Sequence, residues 1–448
     1  MSQLFPIEAE INGGIITIYL HRIIAGELPL ARLRNLMRRG LTSDTSRADI
    51  IVKDGELMLI LDTSSGDRVD DQKLVDIASN FISAHLPGTL RNRITGNRLI
   101  YVTDSSGIPL IGRIDFGIID RGTNLIQVRP ITGCVLDCPF CSVDSGLHSK
   151  TRLTDFIVEP GYMVDEIRKL CEFKGSQSIE LHIDGQGEPT LYPYLPELVE
   201  KLSMISGVET ISLQTNGVPL TDSLVDKLER AGLSRINLSV NALDSGKALQ
   251  LSGEVGYSLG HILNIVEKIC ESDVSLLIAP LWVPGLNDDE IPKIVRFVKK
   301  IANRSEWPLL GIQNYLIHKH GKKVKGLKPC SMKQFQSEIE AIGKFYDVHP
   351  LILTPTDFGI RPMESYPKPF RRGEICEIEI LESGRMMGEM LGVGRDRSLH
   401  VLTGDTDTHS RRQVRMIRTK HNIFVAKATG SYHQTLRNSR QKQLKPIP

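Results

Sequence analysis

The 448-residue chain is predicted to be an α/β protein: a partial (β/α)6 barrel, preceded by an N-terminal α/β domain and followed by a small C-terminal β-barrel. Three observations predict this. From about residue 123 to 355, apolar strand-like runs alternate with amphipathic helical stretches, and such repeats build a parallel sheet with helices outside. Ahead of them, strands and helices mix without that alternation. Behind them, past the proline-rich stretch Pro362–Pro369, short β-like runs are separated only by turn residues, which is the pattern of a small barrel.

In the first segment, residues 1–122, Ile15–Leu20, Ile50–Val52, Leu57–Leu61 and Leu99–Val102 read as strands, the third after an Asp54-Gly55 hairpin turn. Ala31–Arg39 reads as a basic helix, and Asp71–Ala84 has apolar residues at helical spacing. A basic helix of this kind is ordinarily a solvated face. The second segment, 123–360, has strand candidates at Leu125–Val128, Ile179–Ile183, Thr210–Leu213, Ile236–Val240, Val274–Ala279 and Leu309–Leu316. Helical stretches at Met163–Leu170, Leu195–Ile205, Leu224–Ala231, Leu259–Ile269 and Ile291–Ile301 lie between them. Thr221 is an N-cap candidate for the third helix, and Asn287–Glu290 supply caps and acids before the fifth. Residues 361–370 form a linker. Residues 371–430 carry β-like runs at Glu374–Leu381, Met386–Gly394, Leu399–Leu402, Gln413–Thr419 and Asn422–Ala428, and 431–448 form a basic tail.

Composition is that of an ordinary globular protein, with 40% hydrophobic residues, 24% charged residues and a net charge of +2. Seven cysteines in so long a chain do not make a disulfide framework. No basic, then apolar, signal segment opens the chain, and the apolar run Gly14–Leu20 is too short to span a bilayer. These features predict a cytoplasmic protein without a membrane partner. They do not fix an oligomeric state.

Three of the cysteines cluster, in Cys134-Val-Leu-Asp-Cys138-Pro-Phe-Cys141. A four-iron cluster takes one ligand per iron, so three local thiolates leave one iron open to another molecule. A zinc site would want a fourth ligand at motif-like spacing, and the nearest candidate is His148. The C-x3-C-x2-C spacing, with Phe140 before the last cysteine, resembles the signature of the radical S-adenosylmethionine (SAM) superfamily. That resemblance implies a 4Fe–4S cluster on Cys134, Cys138 and Cys141, and SAM bound to the open iron and cleaved by one electron to a 5′-deoxyadenosyl radical. It also implies the partial barrel fold and an external electron donor.

Asp184-Gly-Gln-Gly-Glu-Pro-Thr190, at the end of the second barrel strand, resembles the family's glycine-glutamate motif. Gly185, Gly187 and Glu188 are thereby implied to hold the methionine amino group of SAM. Asn216 in Gln214-Thr-Asn-Gly217, together with Ser239 and Asn241, stands at later strand ends where the family places contacts to the SAM ribose and carboxylate. Pro284–Asp288 resembles the loop that meets adenine. Arg129, Lys150 and Arg152 flank the cysteines and read more simply as surface charge. Cys330 has no flanking ligands and reads as an ordinary thiol. Neither an N-terminal cysteine trio like that of methylthiotransferases nor a cobalamin motif stands out.

The segment from Arg371 to Lys427 resembles the TRAM domain, a small RNA-binding barrel. After Asp407 there is no acid, whereas Arg411, Arg412, Arg415, Arg418, Lys420, Lys427, Arg437, Arg440, Lys442 and Lys445 all follow it. Phe424 and Tyr432 are candidates to stack on bases. The expected function is a radical SAM enzyme that modifies tRNA or rRNA by hydrogen abstraction. The alternative is one acting on a protein, peptide or small molecule. The layout also resembles uncharacterised archaeal radical SAM proteins known only as Fe–S oxidoreductases.

Overall fold

The computed structural model describes residues 2–40, 46–53, 55–63, 71–175, 177–301, 307–404 and 407–429. Asp54 of the expected hairpin turn and the basic tail, with Tyr432, Arg437, Arg440, Lys442 and Lys445, lie outside these residues. The chain divides into two compact units, Met1–Tyr101 and Val102–Pro448.

The first unit contains β1 (Ser2–Asn12), β2 (Ile15–His21), β3 (Ile24–Pro29), α1 (Leu30–Gly40), β4 (Ser46–Lys53), β5 (Glu56–Thr63), α2 (Asp71–His85), β6 (Leu90–Asn92) and β7 (Arg98–Val102). Its antiparallel sheet runs β7-β6-β3-β2-β1-β5-β4. β1 escapes a sequence reading because Pro6 punctuates it. The strand absorbs the proline by shifting register against β5 between Gln3 and Phe5 and again between Phe5 and Glu8. In α1, Leu33 and Met37, one turn apart, are fully buried. Part of its basic face is spent, since Arg34 pairs with Asp49 at 2.6 Å.

The second unit begins with β8 (Gly117–Asp120), β9 (Leu125–Arg129), β10 (Thr154–Val158), α3 (Pro160–Phe173), β11 (Ile179–Ile183), α4 (Leu195–Ser203), β12 (Val208–Thr215), α5 (Asp222–Arg230), β13 (Arg235–Leu238), α6 (Ser245–Ser252), α7 (Leu259–Glu271), β14 (Ser275–Ile278), β15 (Leu281–Trp282), α8 (Glu290–Val298), β16 (Gln313–Asn314) and α9 (Met332–Tyr346). The sheet order is β8-β9-β11-β12-β13-β14, parallel from β9 onward, with β8 antiparallel at the edge. This is the partial barrel that the alternation predicts. The division between units falls at 101/102 rather than near 122, because β8 pairs with β9. The sixth strand is shorter than Leu309–Leu316: Leu310 bridges Ile278, and only Gln313–Asn314 pairs onward, with β15.

Helix starts follow local chemistry. Thr221 caps α5 by accepting from Leu224 N (3.2 Å), as its position predicts. Asp244 caps α6 by accepting from Lys247 N (2.9 Å), and Gly253 ends it in the left-handed region. α8 has no side-chain cap. Instead buried Glu290 turns away and accepts from Leu243 N (2.6 Å) and Asp244 N (3.0 Å), bracing the loop after β13.

The C-terminal barrel comprises β17 (Ile375–Ser383), β18 (Glu389–Gly394), β19 (Arg397–Leu402), β20 (Ser410–Arg418) and β21 (Val425–Ala428), closed in the order β17-β18-β19-β21-β20. Ile378, Ile380, Leu399, Val401, Val414, Met416 and Phe424 fill it. Phe424, expected as a base-stacking residue, is fully buried and packs edge-on against Phe370 at 5.3 Å, so it is unavailable to an RNA base. The linker is not a free tether: Thr123 bridges Pro362, and Tyr366 N donates to Asp120 Oδ2 (2.6 Å).

The barrel is keyed to the sheet by backbone and buried charge. Gly112 sits at φ +137, and a Cβ there would meet Ser398 O at 1.9 Å. Arg113, fully buried, bonds Asp115 (2.9 and 2.5 Å), Glu389 Oε1 (2.5 Å) and Leu399 O (3.0 Å). No helix among the described residues is long and apolar enough to cross a membrane.

Candidate active site

The C-terminal ends of the parallel strands open into a cavity of about 670 Å³. Cys134, Cys138, Phe140, Cys141, Gly185, Gly187, Glu188, Asn216, Ser239 and Asn241, the residues singled out by sequence, all line it. The cysteine loop is irregular and is fixed at both ends. At its base, Gly133 pairs with Gly187: Glu188 N donates to Gly133 O (2.8 Å) and Gly133 N to Gln186 O (3.3 Å). In its middle, Asp137 N donates to Ser252 O (3.0 Å) at the end of α6, and Phe140 packs on the cluster of Ala242, Ala248, Leu251 and Leu259. Beyond the last cysteine, Lys322 N donates to Cys141 O (2.8 Å).

Two of the thiols, Cys134 and Cys138, sit where ionisation is opposed. Burial, then the carboxylate of Glu188 and the other two cysteines, pushes the Cys134 thiol well up. Burial and then Cys141 push Cys138 up to about 12. A cationic metal core reverses this balance, since a coordinating thiol is deprotonated outright. Three thiols lining one cavity therefore fit an iron–sulfur centre. The zinc alternative gains nothing from His148, which is exposed and lies within 4 Å of Asp137 and Glu254 instead, at 3.6 and 3.7 Å.

Glu188 differs from expectation in how it is used. Its carboxylate, fully buried, accepts from Thr190 N (3.0 Å), Thr190 Oγ1 (2.6 Å), Thr215 Oγ1 (2.6 Å) and Asn216 N (2.8 Å). It ties two strand ends together, and burial raises its pKa although those bonds oppose the rise. Asn216 Nδ2 donates to Cys134 Sγ at 3.5 Å. Ser239 Oγ accepts from Gln214 Nε2 (3.2 Å), and Asn241 Oδ1 accepts from Leu281 N (2.8 Å). Within Pro284–Asp288, the expected adenine loop, Asn287 is buried and its amide donates to Asn241 O (3.0 Å) and Leu281 O (2.9 Å), so it supports the lining from behind.

Two of the three flanking cations are buried and hydrogen-bonded rather than surface charge. Arg129 clamps Asp184 at 2.9 and 2.7 Å. Arg152 is buried on Val143 O (2.7 Å) and His320 O (3.3 Å), and Lys150 is exposed. Half-buried Cys330 donates to Asn314 Oδ1 (3.5 Å), one layer behind the lining.

Sequence reasoning missed His182, Tyr257, Gln313, Asn314 and His318, which also line the cavity. The available signal for His182 was strand alternation, which puts it on the same face as Asp184. Its Nδ1 is 2.8 Å from Ser212 Oγ, whose own proton goes to Glu180 (2.7 Å), so Nδ1 is the donor in that contact. Burial lowers its pKa in the same sense.

A second constellation, Asp115, Glu389 and His400, has donor atoms within 4.8 Å of one another. Arg113 already occupies both carboxylates. His400 Nε2 accepts from Ile114 N (3.0 Å) while Nδ1 donates to Glu389 (2.6 Å), which uses both ring nitrogens. It is an ion-pair lock rather than a metal centre.

Comparison with known proteins agrees with this geometry. The chain is 39% identical over 368 residues to the uncharacterized protein MJ0103 of Methanocaldococcus jannaschii, covering 78% of this chain and 84% of that one. It is 27% identical over 184 residues to the GTP 3′,8-cyclase of Aquifex aeolicus, which is 41% of this chain and 55% of the cyclase, so the chain spans about half the length of that relative. A crystal structure of methylornithine synthase aligns over 53% of this chain and 64% of its own, at 16% identity and a TM-score of 0.38. The Radical SAM superfamily profile matches residues 128–298, from the strand before the cysteines to the end of α8. The chain belongs to the radical SAM superfamily of enzymes, whose cofactors are a 4Fe–4S cluster and SAM.

Proposed function

We propose that this enzyme modifies RNA, a tRNA or rRNA of the cytoplasm, with its TRAM-like barrel as part of the grip and a low-potential one-electron donor as its other partner. The observation that carries the reading is the border of the cavity. His318 lines it, and from there to Lys328 the chain holds five lysines and no acid. Lys322 is spent on Asp137 and, at 3.8 Å, on Asp144. Lys319, Lys323, Lys325 and Lys328 are exposed, and among the described residues none has an ion-pair partner. Exposed cations in the segment that follows the cavity-lining His318 suit a phosphate-bearing substrate.

The barrel adds a narrower basic strip than its sequence suggests. Glu377 and Glu379 on β17 face Gln413 and Arg411 and offset that side. On the other side of β20, Arg415 stands beside Lys427 in register, and Arg418 and Lys420 follow, all of them exposed.

When bound, the cluster and SAM supply a 5′-deoxyadenosyl radical for hydrogen abstraction. Cys134, Cys138 and Cys141 would ligate the iron, and Gly185 and Gly187 would let the main chain approach SAM. Glu188 fixes the spacing of the strand ends around it, and Phe140 and Tyr257 help keep water from the loop.

The test compares RNA binding across a salt series for the wild type and for a Lys319/Lys323/Lys325/Lys328→Ala variant. The expected result is a salt slope shallower by up to about 0.7 per lost phosphate contact. 5′-Deoxyadenosine formation without RNA should be unchanged, and total RNA incubated with the wild type should gain a modified nucleoside by mass. Equal slopes would refute the reading. The match to GTP 3′,8-cyclases favours a second reading, a free nucleotide at the same lysines. Conversion of nucleotides but not RNA would select it.

A further inference from the structure

Arg385 lies in the turn between β17 and β18. Its guanidinium comes from the barrel yet ends in the sheet domain. It is 1% exposed, and its Nη2 donates to Ser145 Oγ at 3.0 Å and lies 3.9 Å from Asp155 Oδ1. Its Nε and Nη1 are buried without a hydrogen-bond partner. Both neighbours belong to the cysteine loop's framework. Ser145, four residues past Cys141, donates to Gln186 O (3.0 Å) in the glycine-glutamate motif. Asp155 accepts from Thr132 Oγ1 (3.0 Å), two residues before Cys134.

The turn is pinned in place. Leu153 N donates to Arg385 O (2.9 Å), and Arg152 and Met386 form an antiparallel bridge. Arg385 thus cannot swing out to solvent without undoing a backbone pairing. Burial opposes its charge, which the carboxylates of Asp155, Asp115 and Glu389 favour. Arg385 is therefore a buried cation with two idle N–H groups, held against the two residues that brace the cysteine loop on either side of its thiols, Ser145 after Cys141 and Asp155 through Thr132 before Cys134.

We propose that Arg385 is an electrostatic positioning residue for the iron–sulfur centre, through which the C-terminal barrel helps the cluster accept its electron. The step concerned is the uptake of one electron from a low-potential donor, with no bond made or broken in the protein. The added negative charge is offset by a guanidinium already in place, so the reduced form is favoured. Cluster potential follows net charge and hydrogen bonding around the sulfurs. The inference rests on the superfamily assignment and not on the RNA substrate.

The test is an EPR-monitored redox titration of the reconstituted full chain, without substrate, for wild type, Arg385→Met and Arg385→Lys. Iron and sulfide analysis first establishes that each holds a complete cluster. Arg385→Met should reduce about tenfold less readily at a given potential, a midpoint lower by about 59 mV for one electron. Arg385→Lys, which keeps the charge, should recover most of the difference. If Arg385→Met fails to hold a cluster, Arg385→Gln is titrated in its place and read by the same rule. A neutral variant with a full cluster and the wild-type midpoint would overturn the proposal. So would a lysine variant shifted as far as the neutral one.

Discussion

Gly187→Ala is the sharpest single-atom perturbation of this site. A Cβ at Gly187 would stand 2.1 Å from Gly133 O, 2.6 Å from its N and 2.8 Å from its C. All three atoms are backbone, so no side-chain rotation relieves the clash. The strands must part by more than an ångström, which breaks Glu188 N to Gly133 O and Gly133 N to Gln186 O. Two lost hydrogen bonds at about 1 kcal/mol each and an overpacking term of about 1–3 kcal/mol give about 3–5 kcal/mol, concentrated one residue from Cys134. Gly185→Ala is the control, because its Cβ meets Ile131 O at 3.1 Å, which a shift of a few tenths of an ångström accommodates. The assay is iron per chain after anaerobic reconstitution, with SAM affinity measured on the same samples. Gly187→Ala should lose most of its iron and its SAM binding, while Gly185→Ala keeps its iron. A Gly187→Ala protein with wild-type iron content and SAM affinity would refute the view that this glycine pair fixes the cysteine loop.

Two further predictions concern the lock between barrel and sheet. Arg113→Met leaves Asp115 and Glu389 buried without their cation and should cost about 3–5 kcal/mol, read as a lower midpoint in denaturant. The same lock should weaken in acid: burial alone would raise both carboxyls, but the Arg113 guanidinium holds each below its ordinary range. Their contribution is therefore fully present above the unfolded value of about 4 and is lost as pH falls further through the folded values. Stability measured from pH 6 to pH 2.5 should fall more steeply in the wild type than in a variant with Asp115→Asn and Glu389→Gln. Parallel curves would contradict the assignment.

The partial barrel and its cysteine loop were legible because their signals are local. β11, β12 and β13 are short apolar runs with turn residues at each end, and the three thiols lie within eight positions. What stayed hidden depends on partners distant in sequence. The charge of Arg385 reads as surface until Ser145 and Asp155 are seen beside it. The six basic residues from Arg411 to His421 look like one patch until β17 brings Glu377 and Glu379 alongside. α6 was missed for its length, with only Ala248 and Leu251 as buried apolar side chains to announce a helix. Phe424 shows the opposite failure. An aromatic among basic residues suggests stacking, but just ahead of β21 it packs into the barrel core with Phe370 and Val414.

The pairing of Arg113 with Glu389 also bears on how the chain reaches its native state. The two residues are 276 positions apart, and Ile114 and His400 are 286 apart. On a ribosome, the arginine emerges long before the acid that completes its coordination. Loops of that span close late and slowly, because chain entropy must be given up before the contact forms. The sheet made first therefore waits with its charged seam still hydrated, and the last sixty or so residues act as the closing step of folding.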